Sequence, residues 1–215
     1  MKILVINPNT SVEMSRTIDG VAKKYAAPGT EITTVSPTEG PEFIGNAYDI
    51  ALQAPRVTEL VEKNKNNYDC FVIACGADPG LEACRVIAKN VIGTGESAIM
   101  AACAVAKLFS FISPLKGEAR RRARLRCLGI DQNRCTSVRF VGSGVDDEVV
   151  RRRHEMFDVY CQVGQECVAE DDAEALVLTC AGMSDLKERL EECLKVPVFS
   201  GVESAVKIAE QLPTC

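Results

Sequence analysis

Short apolar runs alternate along the chain with longer stretches in which apolar residues recur every three or four positions. Residues 2–6, 31–35, 70–74 and 91–93 are β-rich runs, and 108–112, 136–141, 175–179 and 197–199 read the same way. Strand-length runs separated by helical spacing predict parallel sheets covered by helices. Three helix starts are marked. Thr10 with Glu13 predicts a capping box, Asp78 before Pro79 an N-cap and first helical residue, and Ser200 with Glu203 a second box.

The two sets of strands form an internal repeat. "ILVINP" ends at Pro8 and "FSFISP" at Pro114, a shift of 106; Cys75 and Cys180 differ by 105; "GESA" at 95–98 and "VESA" at 202–205 differ by 107. The fold expected is therefore α/β with two pseudo-symmetric lobes, each a parallel four-stranded sheet flanked by helices. Residues 1–98 form the first lobe and 99–202 the second, with the helix 203–215 returning to the first. In open parallel sheets, ligand-facing loops lie beyond the carboxyl ends of the strands. Cys75 and Cys180 both occupy that position, which predicts an active site in an inter-lobe cleft with one thiol on each wall.

Composition narrows the chemistry. The chain has 215 residues, is 47% hydrophobic and carries a formal charge of -5. No run is long enough for a membrane span and the N-terminus turns polar too soon for a signal peptide, so a cytoplasmic location and no membrane association are expected. Net negative charge with 5% aromatic residues argues against nucleic acid. Eleven cysteines, an odd number without a Cys-x-x-Cys pair, read mostly as free thiols; no spacing suits a metal, so no metal is expected. Cys70, Cys84, Cys103, Cys127, Cys135, Cys161, Cys167, Cys193 and Cys215 read as scattered structural thiols. His154, the single histidine, lies in "RRRHEM", which reads as a solvated helix.

Two thiols at matched places suit proton transfer at carbon. Inverting a carbon with an acidic C–H requires removing the proton from one face and returning it to the other, with one thiolate as base and one thiol as acid. Gly76, Ala77 and Gly182 allow close backbone approach, and their N–H groups would favour the thiolate. The bland alternative is that each cysteine is a small apolar residue finishing a buried strand. Glu96 and Glu203 read as first-turn carboxylates favoured by the helix dipole.

"INPNTS", "PEFIGNAYDIAL", "FVIACGADPGLEACR", "LVLTCAGMSDL" and "VPVFSGVESAVKIAE" together resemble the hydantoin and allantoin racemase family of the aspartate/glutamate racemase superfamily, over nearly the whole chain. The resemblance implies a cofactor-independent two-base racemase acting at C5 of a 5-substituted hydantoin, a cyclic ureide, with Cys75 and Cys180 as the acid/base pair. It also implies ligand-facing roles for Asn9 and Thr10 in the first loop and for the backbone beside each cysteine, at Gly76, Ala77, Ala181 and Gly182. Asn7 and Ser113 join them as hydrogen-bonding candidates, although turn and cap chemistry explains Asn7 and Thr10 equally well. A homo-oligomer is expected.

The loops assigned to the cleft contain Asp78 but no lysine or arginine, which suits a neutral ring better than a dicarboxylic amino acid. The run "KGEARRRARLRC" is more basic than the connection needs, and its five arginines cannot share one helix face. An amino-acid racemase of the same superfamily is the competing enzyme reading. A small-molecule-binding or thiol-rich redox protein is the alternative outside enzymology.

Overall fold

The structure is a computed structural model describing residues 1–142 and 148–213. The described elements run β1 (Lys2–Ile6), α1 (Val12–Tyr25), β2 (Glu31–Val35), α2 (Ala47–Asn64), β3 (Cys70–Ile73), α3 (Leu81–Ile87), β4 (Val91–Gly93) and α4 (Thr94–Val105). They continue with β5 (Phe109–Ser113), α5 (Glu118–Cys127), β6 (Cys135–Phe140), α6 (Glu148–Arg151), α7 (Phe157–Ala169), β7 (Ala175–Leu178), α8 (Lys187–Leu194), β8 (Val198–Ser200) and α9 (Gly201–Gln211). Each strand lies within one residue of the run that predicted it. The chain divides into two compact units, Met1–Ser97 with the segment from Gly201 onward, and Ala98–Ser200.

In unit 1 the strands are parallel in the order β2-β1-β3-β4. The central strands β1 and β3 are apolar on both faces because helices cover both. Leu4, Ile6, Phe71 and Ile73 pack against Val57 and Val61 of α2 and Leu81 and Cys84 of α3. Residues of the alternate register, Ile3, Val5 and Val72, are also fully buried. Each such side chain contributes roughly 1.5–3 kcal/mol through burial. Helix α9 belongs to this unit although it follows every strand of the other. Its Val202, Ala205, Val206 and Ala209 are buried, and Glu210 accepts hydrogen bonds from Ala27 N–H (2.6 Å) and Thr30 Oγ1 (2.9 Å).

Unit 2 repeats the topology: a parallel sheet in the order β6-β5-β7-β8. Phe109 and Phe111 meet edge to face, centroids 5.4 Å apart, in a core that includes Ala102, Leu125, Val138 and Val177. One bond recurs at equivalent places in the two sheets: Ala74 N–H donates to Ile6 O at 2.8 Å, and Thr179 N–H to Ile112 O at 3.1 Å. It fixes where each cysteine leaves its sheet.

Two expectations change here. Cys161 of α7 and Cys193 of α8 form a disulfide, Cα atoms 6.5 Å apart, so they are not scattered free thiols. The helices approach closely because Gly164 of α7 has no Cβ to collide with Leu194 of α8. Residues 152–156 form turns rather than helix, with His154 exposed and its Nε2 3.0 Å from Asp185 Oδ2. Cys215 lies outside the described residues.

Candidate active site

The first loop of unit 1 is organised by its own side chains. Asn7 is fully buried; its Nδ2 donates to Asn9 Oδ1 (2.8 Å) and Ser15 Oγ (2.9 Å). Asn9 Oδ1 in turn accepts from Ser11 N–H at 2.9 Å. The N-cap of α1 is Ser11, which accepts from Met14 N–H at 3.2 Å, and not Thr10. Thr10 turns instead to the neighbouring loop, bonding Gly40 O through its hydroxyl (3.2 Å) and Pro41 O through its N–H (3.1 Å). These residues hold the turn in shape at the carboxyl end of β1, beside the strand that carries Cys75.

Cys75 follows β3, partly exposed, with Gly76 and Ala77 also partly exposed. Cys75 N–H donates to Ile73 O (3.1 Å) and its carbonyl accepts from Asp78 N–H (2.9 Å). Among the described residues the amides of Gly76 and Ala77 donate no hydrogen bond, leaving two N–H groups beside the thiol for an incoming acceptor. Asp78 departs from its expected role. The N-cap of α3 is Gly80, in the left-handed region at φ 75°, and the buried Asp78 carboxylate caps α4, accepting from Gly95 N–H (2.8 Å) and Glu96 N–H (3.0 Å). Glu96 pairs with Arg85.

In unit 2, Cys180 follows Thr179 and precedes a tight helical turn, Ala181–Leu186, that leads into α8. Burial pushes its thiol up to about 11; hydrogen bonds from the Gly182 and Met183 N–H groups and the charges of Arg153 and Arg121 pull the other way without winning. At neutral pH Cys180 is therefore a thiol. Ala181 and Gly182 are buried in the turn that brings these donors to the sulfur. Arg153 is itself neutralised, gripping Asp185 through Nε–Oδ1 (2.8 Å) and Nη2–Oδ2 (2.8 Å).

Ser113 ends β5 fully buried, and its hydroxyl is engaged: it donates to Leu115 O (2.6 Å) and accepts from Leu115 N–H (3.1 Å) and from Arg121. Arg121 and Arg153 are the site features that sequence reasoning missed. Both sit in arginine runs whose pattern reads as solvated, and each turns inward to an acceptor within reach, Arg121 to the buried Ser113 hydroxyl and Arg153 to the half-buried Asp185 carboxylate. A surface depression lined by Asn66, Tyr68, Asp69 and Lys89 lies at the opposite, amino end of the unit 1 sheet and has no part in this arrangement. Among the described residues no three His, Cys, Asp or Glu side chains gather as a metal site, and no helix is long and apolar enough to cross a membrane.

Each unit thus offers a thiol at the carboxyl end of its third strand in sequence, with backbone N–H groups beside it. Known proteins share the whole framework. The family model described as Asp/Glu/Hydantoin racemase matches residues 3–209. The chain is 40% identical to a hydantoin racemase of Pseudomonas sp. (strain NS671) over 99% of its own length and 86% of that protein. It is 36% identical to a hydantoin racemase of Paenarthrobacter aurescens over 99% and 91%. The solved structure of an allantoin racemase from Klebsiella pneumoniae superposes with a TM-score of 0.92 at 35% identity, covering 100% of this chain and 90% of that one. With its fold and nearly its full length shared with these racemases, the chain is an isomerase that belongs to the Asp/Glu/hydantoin racemase family.

Proposed function

We propose that this racemase inverts C5 of 5-substituted hydantoins, of hydantoin or allantoin type, by cofactor-independent proton transfer with Cys75 and Cys180 as the two bases. The observation that carries this reading is the matched placement of the two thiols, one residue beyond equivalent strand-end hydrogen bonds, each with backbone N–H groups at hand. A thiolate removes the C5 proton and the electron pair moves onto the adjacent carbonyl oxygen. The developing enolate is a suitable acceptor for unengaged backbone donors such as those of Gly76 and Ala77. The second thiol then delivers its proton to the opposite face, leaving product and exchanged protonation states. Because Cys180 rests as a thiol, it is the acid and Cys75 the base for one enantiomer, and the roles reverse for the other.

Asn7, Asn9 and Thr10 serve this reading mainly as the frame of the first loop, with any ring contact made by their remaining acceptors. Ser113 acts through Arg121 and Leu115. The test is proton NMR in deuterated water with a panel of hydantoins, allantoin, aspartate and glutamate. Loss of the C5–H signal together with loss of optical rotation for a hydantoin or allantoin supports the reading. Exchange of the amino acids at an equal or greater rate overturns it in favour of the amino-acid branch.

A further inference from the structure

One arginine of the basic run of α5 is built into the carboxyl end of the unit 2 sheet. Arg121 Nη2 donates to Ser113 Oγ and, at 3.2 Å, to Thr179 Oγ1. These hydroxyls end or follow β5 and β7, and Thr179 directly precedes Cys180, whose thiol is within electrostatic reach of the guanidinium. Arg121 Nε and Nη1 are buried without a partner. Among the described residues no carboxylate pairs with it: Glu118, on the same helix, is taken by Arg122 and Asp185 by Arg153. Gly117, at φ 147°, leaves the room this requires, since a Cβ there would stand 3.0 Å from Arg121 Nη1.

A half-buried guanidinium that hydrogen-bonds only hydroxyls, with its buried Nε and Nη1 hydrogens unmet, is an unfavourable arrangement for a protein to keep in isolation. An arriving carboxylate would supply both the missing charge and the missing acceptors. The desolvation is strong enough, with Arg120 adding to it, to lower the basicity of the guanidinium. We propose that Arg121 is a specificity-determining residue that binds an anionic oxygen on the substrate's substituent, so that the preferred substrates are hydantoins carrying a carboxylate on the 5-substituent. This inference rests on the hydantoin reading above for the identity of the ring. It adds to the loops a cation that their own sequences do not contain, because it comes from the helix that follows them.

Two measurements test it, one of them independent of turnover. The first compares kcat/KM for a carboxyethyl-substituted hydantoin and its neutral carboxamide isostere in the wild type, Arg121→Lys and Arg121→Gln. The wild type is expected to favour the carboxylate by about tenfold or more, and Arg121→Gln to bring the ratio to within about twofold. A wild-type ratio below about twofold, or an equal loss on both substrates in Arg121→Gln, overturns the proposal. The second compares alkylation of Cys180 by iodoacetate and by neutral iodoacetamide, read by peptide mass spectrometry with the exposed Cys127 as internal reference. A change in thiolate fraction alters both reagents alike, whereas an anion-binding group favours iodoacetate alone. The iodoacetate-to-iodoacetamide ratio at Cys180 is expected to exceed that at Cys127 by about fivefold or more, and to fall in Arg121→Gln. Equal ratios at the two thiols overturn the proposal even if Arg121→Gln does not fold. If no hydantoin is turned over but the alkylation preference depends on Arg121, the anion site stands and the ring assignment fails.

Discussion

The carboxylate of Asp78 accepts the N–H of Gly95 at 2.8 Å, 17 residues further along the chain, and so ties the loop after Cys75 to the first turn of α4. A second bond, from Glu96 N–H at 3.0 Å, makes the contact a two-point cap. Asp78→Ala should lower stability by about 2 kcal/mol in urea titration, with Asp78→Asn losing about half of that. Gly95→Ala should be at least as harmful, because its Cβ would run into Gly76 O and the same carboxylate. Unchanged midpoints in all three would show that the cap carries no load.

Replacing either thiol should separate exchange from inversion. Cys75→Ser and Cys180→Ser are each expected to lower racemisation by at least about a thousandfold. Each keeps one base, so each can still exchange the C5 proton of one enantiomer with solvent deuterium while the optical rotation stays constant. Full racemase activity in either variant would sink the two-base assignment. Cys127→Ser, at an exposed site, is expected to behave as wild type.

The buried thiols set an alkaline limit. Burial pushes Cys70 up to about 12 and Cys135 and Cys167 up to about 11. Between the unfolded value near about 8.5 and these raised values, the folded chain holds protons that the unfolded chain has released. Stability is therefore undiminished below about pH 8.5 and falls through that window by up to about 1.4 kcal/mol per pH unit for each thiol. Thermal melts from about pH 7.5 to about pH 11 should show the decline, and Cys70→Ala should make it shallower. A flat profile would overturn the argument.

Helix α9 is expected to be indispensable to unit 1. Val206 is fully buried, and Val206→Asp should cost about 3 kcal/mol or more by burying a charge without a partner. Glu210→Ala removes acceptors for Ala27 N–H and Thr30 Oγ1 and should cost about 1–2 kcal/mol. Hydrogen exchange resolved along the chain should show loss of protection in β1 and β3 in the Val206 variant; full protection there would count against this role.

Strands were legible because apolar runs such as "CFVI" and "ALVL" have no other use in a chain of this composition, and the spacing of the repeat placed Cys75 and Cys180 at equivalent strand ends. Caps were legible only as local preferences. The Asp-Pro pair suits a helix start, but the first-turn amides of Gly95 and Glu96 on α4 lay within reach of Asp78 and won. Thr10 lost its cap to Ser11 for a similar reason, since its hydroxyl found Gly40 O. The disulfide joins residues 32 apart on two helices, a distance over which spacing says nothing about facing. Arg121 was hidden by its neighbours: in a run of arginines, periodicity does not reveal which one turns inward.

That α9 completes unit 1 also reverses the order in which the molecule can be finished during translation. Residues 98–200 are continuous in the chain, so at about 5–20 residues per second the ribosome has made every strand of unit 2 before α9 exists. The sheet synthesised first must wait, one apolar surface uncovered, for a helix encoded after its sister is whole. A translational pause after the codon for residue 200 would prolong that wait, and a pause before the codon for residue 98 would not; the yield of folded enzyme should therefore be sensitive to synonymous codons over α9 rather than over β1 to β4.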